Sequence, residues 1–266
     1  MRSRSLVVPA VLAGLLAGSV PDAASAHEQV GTPSATVAAA RTAADAARVS
    51  RAATGGTLVA RYGFDGGRAT SITDESGNGH TLRLITGNGG TVSMVRRGQG
   101  HALRFPGKCT GKKRCPHAAL QSPSAANLNP GTRPISYGAR VLLSRSQTSK
   151  GQNVVQKGYS ATSSQYKLQV DGAAGRASCV LVGARPGIKL VTSTVSVADG
   201  TWHVVECRRT ATALTVLVDG AVRGNRAIAA GLSVANDRPL SIGGKGAYSD
   251  NDQFQGTLDD VWVRIG

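Results

Sequence analysis

The sequence predicts an all-β protein, a two-sheet antiparallel β-sandwich preceded by a leader and a low-complexity extension. Beyond Gly55, short runs rich in β-branched residues alternate with clusters of Gly, Asn, Asp and Pro, the pattern of strands joined by turns. No helical periodicity alternates with these runs, so a parallel βαβ sheet is not expected. About a dozen short strands in roughly 210 residues are typical of two packed sheets.

The chain begins with the features of a secretory signal peptide over residues 1–26. Arg2 and Arg4 form a basic start, an apolar run covers 6–20, and the small residues at 24–26 suit signal peptidase. The apolar run is short for a bilayer span of about 20 residues. The sequence therefore predicts a secreted protein, and no later segment is apolar enough to cross a membrane.

Residues 27–55 form a second region, rich in Ala, Thr, Ser and Arg. This region favours helix between 36 and 53, but it has no apolar stripe beyond Ala and Val with which a helix could pack. We predict a disordered or loosely helical extension, followed by one domain over residues 56–266.

The predicted strands follow one another to the end of the chain. The clearest is 135–143, where every second residue is apolar and lies on one face of the strand. Asp219-Gly220 follows another alternating run and supplies the positive φ that a hairpin turn needs. The predicted strand segments are 57–64, 81–85, 91–95, 102–105, 135–143, 154–155, 166–170, 178–182, 188–191, 202–208, 214–218, 239–242 and 258–265.

Four cysteines in an exported chain predict two disulfides, for which three pairings are possible. Cys109 and Cys115 are close enough in sequence to close a small loop, and Cys179 and Cys207 would then join two predicted strands. In a loop-closure treatment these bridges contribute roughly 2.5 and 3.5 kcal/mol.

The loop between Cys109 and Cys115 carries the sharpest cluster of charge in the chain. Lys108, Lys112, Lys113 and Arg114 place four cations on one short, disulfide-restrained tip, where sulfate, phosphate or carboxylate groups could bind at little ordering cost. The alternative is a solvated loop whose charge serves solubility.

The whole chain carries a formal charge of +16, which favours polyanionic partners. No nucleic-acid motif accompanies the scattered basic residues, so acidic polysaccharides and cell-wall polymers are the expected polyanions. The alternative is that arginine simply replaces other charged residues on the surface.

Only 4% of residues are aromatic, which leaves few rings to stack on sugars.

Seven local sequences resemble, in order and spacing, the bacterial laminin-G-like domains of the concanavalin-A-like superfamily. They are 61–66 (RYGFDG), 74–80 (DESGNGH), 100–105 (GHALRF), 155–158 (VQKG), 199–207 (DGTWHVVEC), 214–220 (LTVLVDG) and 254–263 (FQGTLDDVWV). The resemblance covers residues 56–266 and implies a jelly roll in which the first and last strands lie side by side. It is specific for fold and not for ligand.

The resemblance also implies a calcium site, because domains of this family often carry one. Calcium prefers carboxylate, carbonyl and water oxygens. Asp74, Ser76 and Asn78 lie in the motif near such sites, and Asp259 in the last strand could approach them.

Two alternatives stand beside this calcium hypothesis. The ion could instead bind the acidic loop Asp250-Asn251-Asp252. Or no ion binds, and Asp74 and Asn78 serve an Asx-type turn while Asp259 faces solvent. We expect no organic cofactor.

The sequence argues against catalysis. Glycosidases on this fold need two carboxylates, which the resembling hydrolases carry as Glu-x-Asp-x-x-Glu; the glutamates beyond the leader, Glu28, Glu75 and Glu206, form no such pattern. No nucleophile elbow or paired metal-ligand spacing occurs. A polysaccharide lyase is the residual enzymatic alternative, and the residue types for it are present at Arg140, Gln156, Tyr159, Tyr166 and His203.

We therefore predict a secreted or cell-envelope-associated, non-catalytic recognition or adhesion module. Its expected partner is a polysaccharide, favoured as anionic, or an extracellular protein, with possible help from calcium, and not a specific nucleic acid. The alternatives are a carbohydrate-active enzyme, with a lyase favoured over a glycosidase, and a structural protein of the cell envelope.

Overall fold

The computed structural model describes residues 55–266 except 67, 111–113, 163 and 185–186. The predicted signal peptide and nearly all of the predicted extension therefore lie outside the described residues. Within the described part of the chain no helix is long and apolar enough to span a bilayer.

The described residues form an all-β structure with sixteen strands and three short 3-10 helices, at 126–128, 145–147 and 160–162. The strands are β1 (Thr57–Tyr62), β2 (Ser71–Ile72), β3 (Leu82–Gly87), β4 (Ser93–Arg97), β5 (Gly100–Arg104), β6 (His117–Ser122), β7 (Ile135–Leu142), β8 (Gly151–Gly158), β9 (Gln165–Asp171), β10 (Arg176–Val182), β11 (Lys189–Ser196), β12 (Trp202–Arg209), β13 (Ala213–Val218), β14 (Ala221–Ala227), β15 (Leu240–Ile242) and β16 (Thr257–Ile265).

The strands build two antiparallel sheets. Sheet A has the order β14-β13-β12-β7-β16-β5-β4, and β1 also pairs with β16. Sheet B has the order β11-β10-β9-β8-β15-β6-β3-β2. The predicted neighbourhood of the first and last strands is confirmed, because β1 pairs with β16 from Thr57↔Ile265 to Tyr62↔Val261.

The core between the sheets is filled mainly by aliphatic side chains. The predicted inward row of β7, from Ile135 to Val141, is buried. Few rings join it: Tyr137 and Tyr166 face each other across the core with centroids 5.1 Å apart, and Phe105 meets Phe254 edge to face at 5.9 Å. β-branched side chains pack well on pleated surfaces, so a sandwich of this size can form with little aromatic volume.

Both disulfides have the favoured pairing. Cys109 and Cys115 close the small basic loop, and Cys179 and Cys207 are joined with both side chains fully buried. Because Cys179 lies on β10 and Cys207 on β12, the second bridge ties sheet B to sheet A through the core.

The sequence prediction was least complete in strands that do not alternate between buried apolar and exposed polar residues. The predicted two-residue run 154–155 is the centre of the eight-residue strand β8, whose polar residues are buried as well. Strands β2, β6 and β14 were not predicted. Strand β2 has only two residues, and β14 is almost wholly exposed, so it has no apolar alternation to reveal it.

Candidate functional site

The connection between β15 and β16, residues 243–256, crosses the outer face of sheet B. Gln121 on β6 donates from Nε2 to the Lys245 carbonyl at 2.9 Å, and the Asn153 amide on β8 donates to the Asp252 carbonyl at 2.8 Å. A side chain at Gly87 on β3 would collide with the backbone of Ala247. The connection therefore contacts three strands and covers polar residues of this face.

Beside this connection lies a polar cleft of about 240 Å³, which we call the loop-end cleft. Three separate connections line it: β5–β6 with its disulfide, β7–β8, and β15–β16. Its lining residues are Gly107, Cys109, Cys115, Pro116, His117, Ser149, Lys150, Gly151, Ser249, Asp250, Asn251, Asp252, Gln253 and Gln255. Loops on a rigid sandwich are the usual place for recognition residues.

The cleft brings together two features that the sequence suggested separately. The predicted anion-binding loop supplies one wall through Cys109 and Cys115, with Lys108 and Arg114 exposed beside them. Lys112 and Lys113 lie outside the described residues. The acidic loop proposed as the alternative calcium site supplies the facing wall.

Within that acidic wall the two carboxylates differ. The Asp250 side chain is 94% exposed, whereas Asp252 Oδ2 accepts from Lys167 Nζ and Lys245 Nζ, each at 3.0 Å. Burial lowers the pKa of the Lys167 ammonium, and the neighbouring Asp252 opposes this shift. Two ammonium groups already neutralise Asp252, so a divalent cation would have to displace them; calcium binding here stays a prediction, for which the geometry gives no support.

His117 lies on the floor of the cleft, where β6 begins. The residue is only 5% exposed, and among the described residues its buried Nδ1 atom has no hydrogen-bond partner. A buried imidazole nitrogen without a partner costs free energy.

Next to the cleft lies a group that we call the tyrosine shelf, consisting of Tyr159, Tyr248 and Arg238. The Tyr248 ring is 48% exposed and directly precedes the cleft-lining segment 249–253. The Arg238 guanidinium lies 5.9 Å from the centroid of the Tyr159 ring. Partial burial and the adjacent Tyr159 hydroxyl raise the pKa of Tyr248 to about 12, so its hydroxyl stays protonated and can donate.

The shelf is positioned by Lys157, which is fully buried. Its ammonium, with three donors, lies within hydrogen-bond distance of four oxygens: Ser124 Oγ at 2.9 Å, the Asn236 carbonyl at 2.8 Å, Asn236 Oδ1 at 3.1 Å and the Arg238 carbonyl at 2.8 Å. Burial lowers the pKa of this ammonium to about 8. Lys157 thereby ties segment 236–238, and the Arg238 side chain with it, to strand β8.

The first calcium hypothesis concerned Asp74, Ser76, Asn78 and Asp259. Asp74 Oδ1 accepts from the amides of Arg61 and Ser76 at 3.1 and 2.9 Å, and Oδ2 accepts from Ser76 Oγ and the His80 amide at 2.9 and 3.0 Å. Asn78 joins this turn through Ser76 Oγ. These contacts are those of the alternative interpretation, a carboxylate that closes a turn.

Asp259 belongs to a different group on sheet A. Its Oδ2 accepts from the Arg97 guanidinium at 2.5 Å, and its Oδ1 accepts from the Asp260 amide at 2.7 Å. The side chain is 5% exposed, so it does not face solvent. Among the described residues no cluster of three or more His, Cys, Asp or Glu side chains could hold a metal ion. The residues at 74–78 and 259 therefore do not fit a calcium site, because N–H groups already occupy their oxygens.

The residue types considered for a lyase are not assembled into one site. Arg140 binds Asp260 on sheet A, and His203 is held between Asp199 and Asp219 at the turns of the same sheet. Gln156 and Tyr166 lie on strands of sheet B, and Tyr159 directly follows β8. Tyr166 is enclosed in the core, where burial raises its pKa.

Sequence reasoning missed the residues that connect these features. Lys157, Lys167, Arg238, Lys245 and Tyr248 were not singled out. One signal was present: lysines at 157 and 167 in otherwise β-type runs are unusual, because charged residues are rarely buried without partners.

Comparison with known proteins gives the family. Residues 116–264, more than half of the chain, match a laminin-G-type family described as the concanavalin A-like lectin/glucanases superfamily, and the chain belongs to this family. The predicted resemblance is confirmed. The sequence matches no curated protein.

Solved structures with the same fold are distant in sequence. Domain 4 of AbnA, an extracellular arabinanase of family GH43 from Geobacillus stearothermophilus solved with arabinotriose, has a TM-score of 0.59 at 16% identity, over 79% of this chain and 93% of that one. The binding domain of Paraclostridial Mosquitocidal Protein 1 has a TM-score of 0.59 at 13% identity, over 78% of this chain and 48% of that one. The binding domain of botulinum neurotoxin DC, solved with rat synaptotagmin II, has a TM-score of 0.56 at 7% identity, over 78% of this chain and 48% of that one.

The chain thus spans about half the length of the toxin binding domains that it matches. These similarities establish the predicted jelly-roll fold, a sandwich of two antiparallel sheets.

Proposed function

We propose that this protein is a non-catalytic recognition module of the cell exterior, which binds an anionic carbohydrate across the loop-end cleft and the tyrosine shelf. One observation carries the proposal: a half-exposed tyrosine ring and a half-exposed guanidinium lie together beside a polar cleft lined by three connections. A sugar ring can pack on Tyr248, while its hydroxyls reach the cleft.

The charge around the site favours an acidic sugar. Lys108, Arg114 and Lys150 are exposed at or beside the cleft, and Arg238 is half-exposed on the shelf. Two exposed acids lie among them: Asp250, and Asp237, whose Oδ1 is 3.8 Å from Arg238 Nε. A guanidinium binds a carboxylate in a planar, two-point geometry, so Arg238 suits the carboxyl group of a uronic acid.

The structural neighbours supply independent support. A domain of an arabinanase crystallised with arabinotriose and toxin domains described as binding domains have the same architecture. Secretion fits this function, since polysaccharides lie outside the cell, and the leader pattern at 1–26 supports it. Calcium has no part in the proposed mechanism.

Isothermal titration calorimetry with oligogalacturonate and with neutral arabino-oligosaccharide tests the proposal. We expect tighter binding of the acidic probe, and affinity that falls as salt rises. Tyr248→Ala and Arg238→Gln should each weaken binding by about tenfold, the equivalent of roughly 1.4 kcal/mol.

Arg96→Gln is the matched control, because Arg96 is an exposed arginine on β4 of sheet A, and it should leave the affinity unchanged. Equal loss from the control and from Arg238→Gln would refute the proposed site. No binding of either probe, with the fold intact, would count against carbohydrate recognition and favour a protein partner. Breakdown of either probe would show an enzyme.

A further inference from the structure

Strand β14, which ends sheet A, has no neighbouring strand on one side. Its seven residues, Ala221–Ala227, are exposed apart from the half-buried Gly224. One side of the strand pairs with β13 from Val218↔Ala221 to Ala213↔Ala227, and no other described segment pairs with the opposite side. We call this opposite side the β14 edge (residues 221–227). Free N–H and C=O groups on an edge strand are a template for pairing with another extended chain.

The hydrogen bonds of the β13–β14 hairpin show which backbone groups point outward. In an antiparallel pair, residues that bond to the partner strand alternate with residues whose N–H and C=O groups point away from it. The Ile228 amide donates to the Thr212 carbonyl at 2.9 Å, so Arg226, two residues earlier, also bonds to β13. Asn225 and Ala227 therefore direct their N–H and C=O groups to the β14 edge, where these groups have no backbone partner among the described residues.

The other strand edges are shorter or already have contacts. On the free side of β1, Ser76 Oγ donates to the Val59 carbonyl at 3.0 Å, so the turn 74–78 takes the place of a neighbouring strand. On β11, which ends sheet B, the Leu190 carbonyl accepts from Arg226 Nη1 at 3.0 Å. Strand β2 has two residues and β4 has five, against the seven of β14. Strand β14 is therefore the end strand that an added strand could reach most readily.

The surroundings of the β14 edge are basic. Arg223 and Arg226 are exposed on the strand itself. No Asp or Glu occurs in the segments that contain β10, β11, β13 and β14 beyond their turns, which are 172–198, 207–218 and 220–236. The nearest acid in the sequence, Asp219 in the hairpin turn, is hydrogen-bonded to His203 Nδ1 at 2.7 Å. The charge of this edge therefore favours an acidic partner.

A second copy of the chain is a poor partner for this edge. The antiparallel register that uses both outward-pointing residues of each strand places Asn225 opposite Ala227 of the copy. Arg226 then lies directly opposite the same residue of the copy, and like charges in that position are destabilising. Charged residues on edge strands commonly prevent self-association in this way. The same arginines attract a strand that carries carboxylates.

We infer that the β14 edge binds an extended acidic segment of a partner protein, which joins sheet A as a further strand. The backbone of that segment pairs with Asn225 and Ala227, and its carboxylates lie close to Arg223 and Arg226. A polysaccharide could neutralise the arginines, but it has no row of N–H and C=O groups to pair with a strand. The β14 edge shares no residue with the loop-end cleft or the tyrosine shelf, so this inference and the proposed carbohydrate function can fail separately.

Amide exchange followed by NMR tests the inference on the full chain. The probe is an acidic peptide of alternating Glu and Val, with as many residues as β14. We expect the peptide to slow exchange of the Asn225 and Ala227 amides by about tenfold or more, because they gain hydrogen bonds. The Arg226 amide, which already bonds to β13, should change little. Protection of alternate amides is the signature of strand pairing, which a contact through charge alone does not produce.

Variants of the protein and of the peptide separate charge from backbone pairing. Arg223→Gln with Arg226→Gln should weaken peptide affinity by about tenfold, the effect of losing two opposite-charge cross-strand pairs. Ala227→Pro removes one outward-pointing N–H, which an edge strand tolerates, and should abolish the protection. A peptide N-methylated along one edge should bind at least about tenfold more weakly to the unaltered protein, since it lacks donors for the strand.

The matched control is Arg96→Gln with Arg104→Gln. This pair removes the same charge from exposed positions on β4 and β5, at the opposite end of sheet A, and should leave peptide affinity unchanged.

Four results would overturn the inference. The first is no binding of the acidic peptide at millimolar concentration. The second is equal affinity for the N-methylated peptide, because the contact would then be charge alone. The third is an equal loss from the control pair and the Arg223/Arg226 pair. The fourth is a stable dimer, seen by light scattering and abolished by Ala227→Pro, because the edge would then join two copies.

Discussion

Replacement of the buried Lys157 by methionine probes the support beneath the tyrosine shelf. Methionine has nearly the same volume as the lysine stem, so the change removes the ammonium without opening a large cavity. The carbonyl of Arg238 then loses its donor. The Asn236 carbonyl keeps a donor from Asn129 Nδ2, and Asn236 Oδ1 keeps the amide of Arg238.

The magnitude follows from this count. Loss of the charged hydrogen bonds, including the donor to the partly buried Arg238 carbonyl, costs about 1–3 kcal/mol, and the relief from burying an ammonium offsets part of it. We expect Lys157→Met to lower the free energy of unfolding by about 2 kcal/mol. For a domain of roughly 210 residues that is a fall in Tm of about 4–8 °C. Thermal and urea unfolding measure it, and exposed Lys108→Met should stay within about 0.5 kcal/mol of wild type.

The dependence on pH sharpens this test. Burial lowers the pKa of Lys157 to about 8, whereas a lysine in the unfolded chain has a pKa of about 10.4. Between these pH values the unfolded chain binds more protons than the folded protein, so the free energy of unfolding of wild type should rise with pH. The variant has no titrating group at position 157 and should lack this rise. The difference between the two should widen from pH 7.5 to pH 10. A constant difference, or no loss of Tm, would refute the buried ammonium and its four contacts.

Three further predictions concern other parts of the molecule. Cys179→Ala with Cys207→Ala removes the bridge between the sheets and should cost about 3.5 kcal/mol of stability, measured as urea unfolding under oxidising conditions. The pKa of His203 is raised because the hydrogen bonds and charges of Asp219 and Asp199 outweigh its burial. The stabilisation that the charged imidazole contributes is complete below pH about 6.5 and disappears as pH rises through the folded pKa. Thermal unfolding should therefore show that His203→Gln costs up to about 1 kcal/mol more at pH 5.5 than at pH 8.5. About 5 mM calcium, compared with chelator, should leave Tm unchanged, and a clear rise would contradict the assignment of the aspartate turn to hydrogen bonding alone.

The sandwich could be predicted because most strands bury one face only. Apolar residues at period two, as along 135–143, together with glycine-containing turns such as Asp219-Gly220, identify the strands and their order. Strand β8 could not be delimited in this way. Its Gln152, Asn153 and Gln156 are buried because the β15–β16 connection covers the outer face, and that contact joins segments about a hundred residues apart.

The candidate site was predictable only in pieces. The basic loop around Cys109 and the acidic loop at 250–252 both stood out in the sequence, but their meeting in one cleft depends on the three-dimensional course of the chain. The sequence also could not show that Lys167 and Lys245 neutralise Asp252. Of these two ion pairs, the one with Lys167 on β9 holds the loop to sheet B, and calcium binding at this loop stays a prediction.

Hydrogen–deuterium exchange with and without saturating oligogalacturonate tests the central claim most directly. We predict slower exchange in segments 236–238 and 243–256 and around the Cys109–Cys115 loop, with strands β4 and β5 of sheet A unchanged. Protection that maps to another face of the sandwich, while these segments exchange as before, would contradict the proposed site.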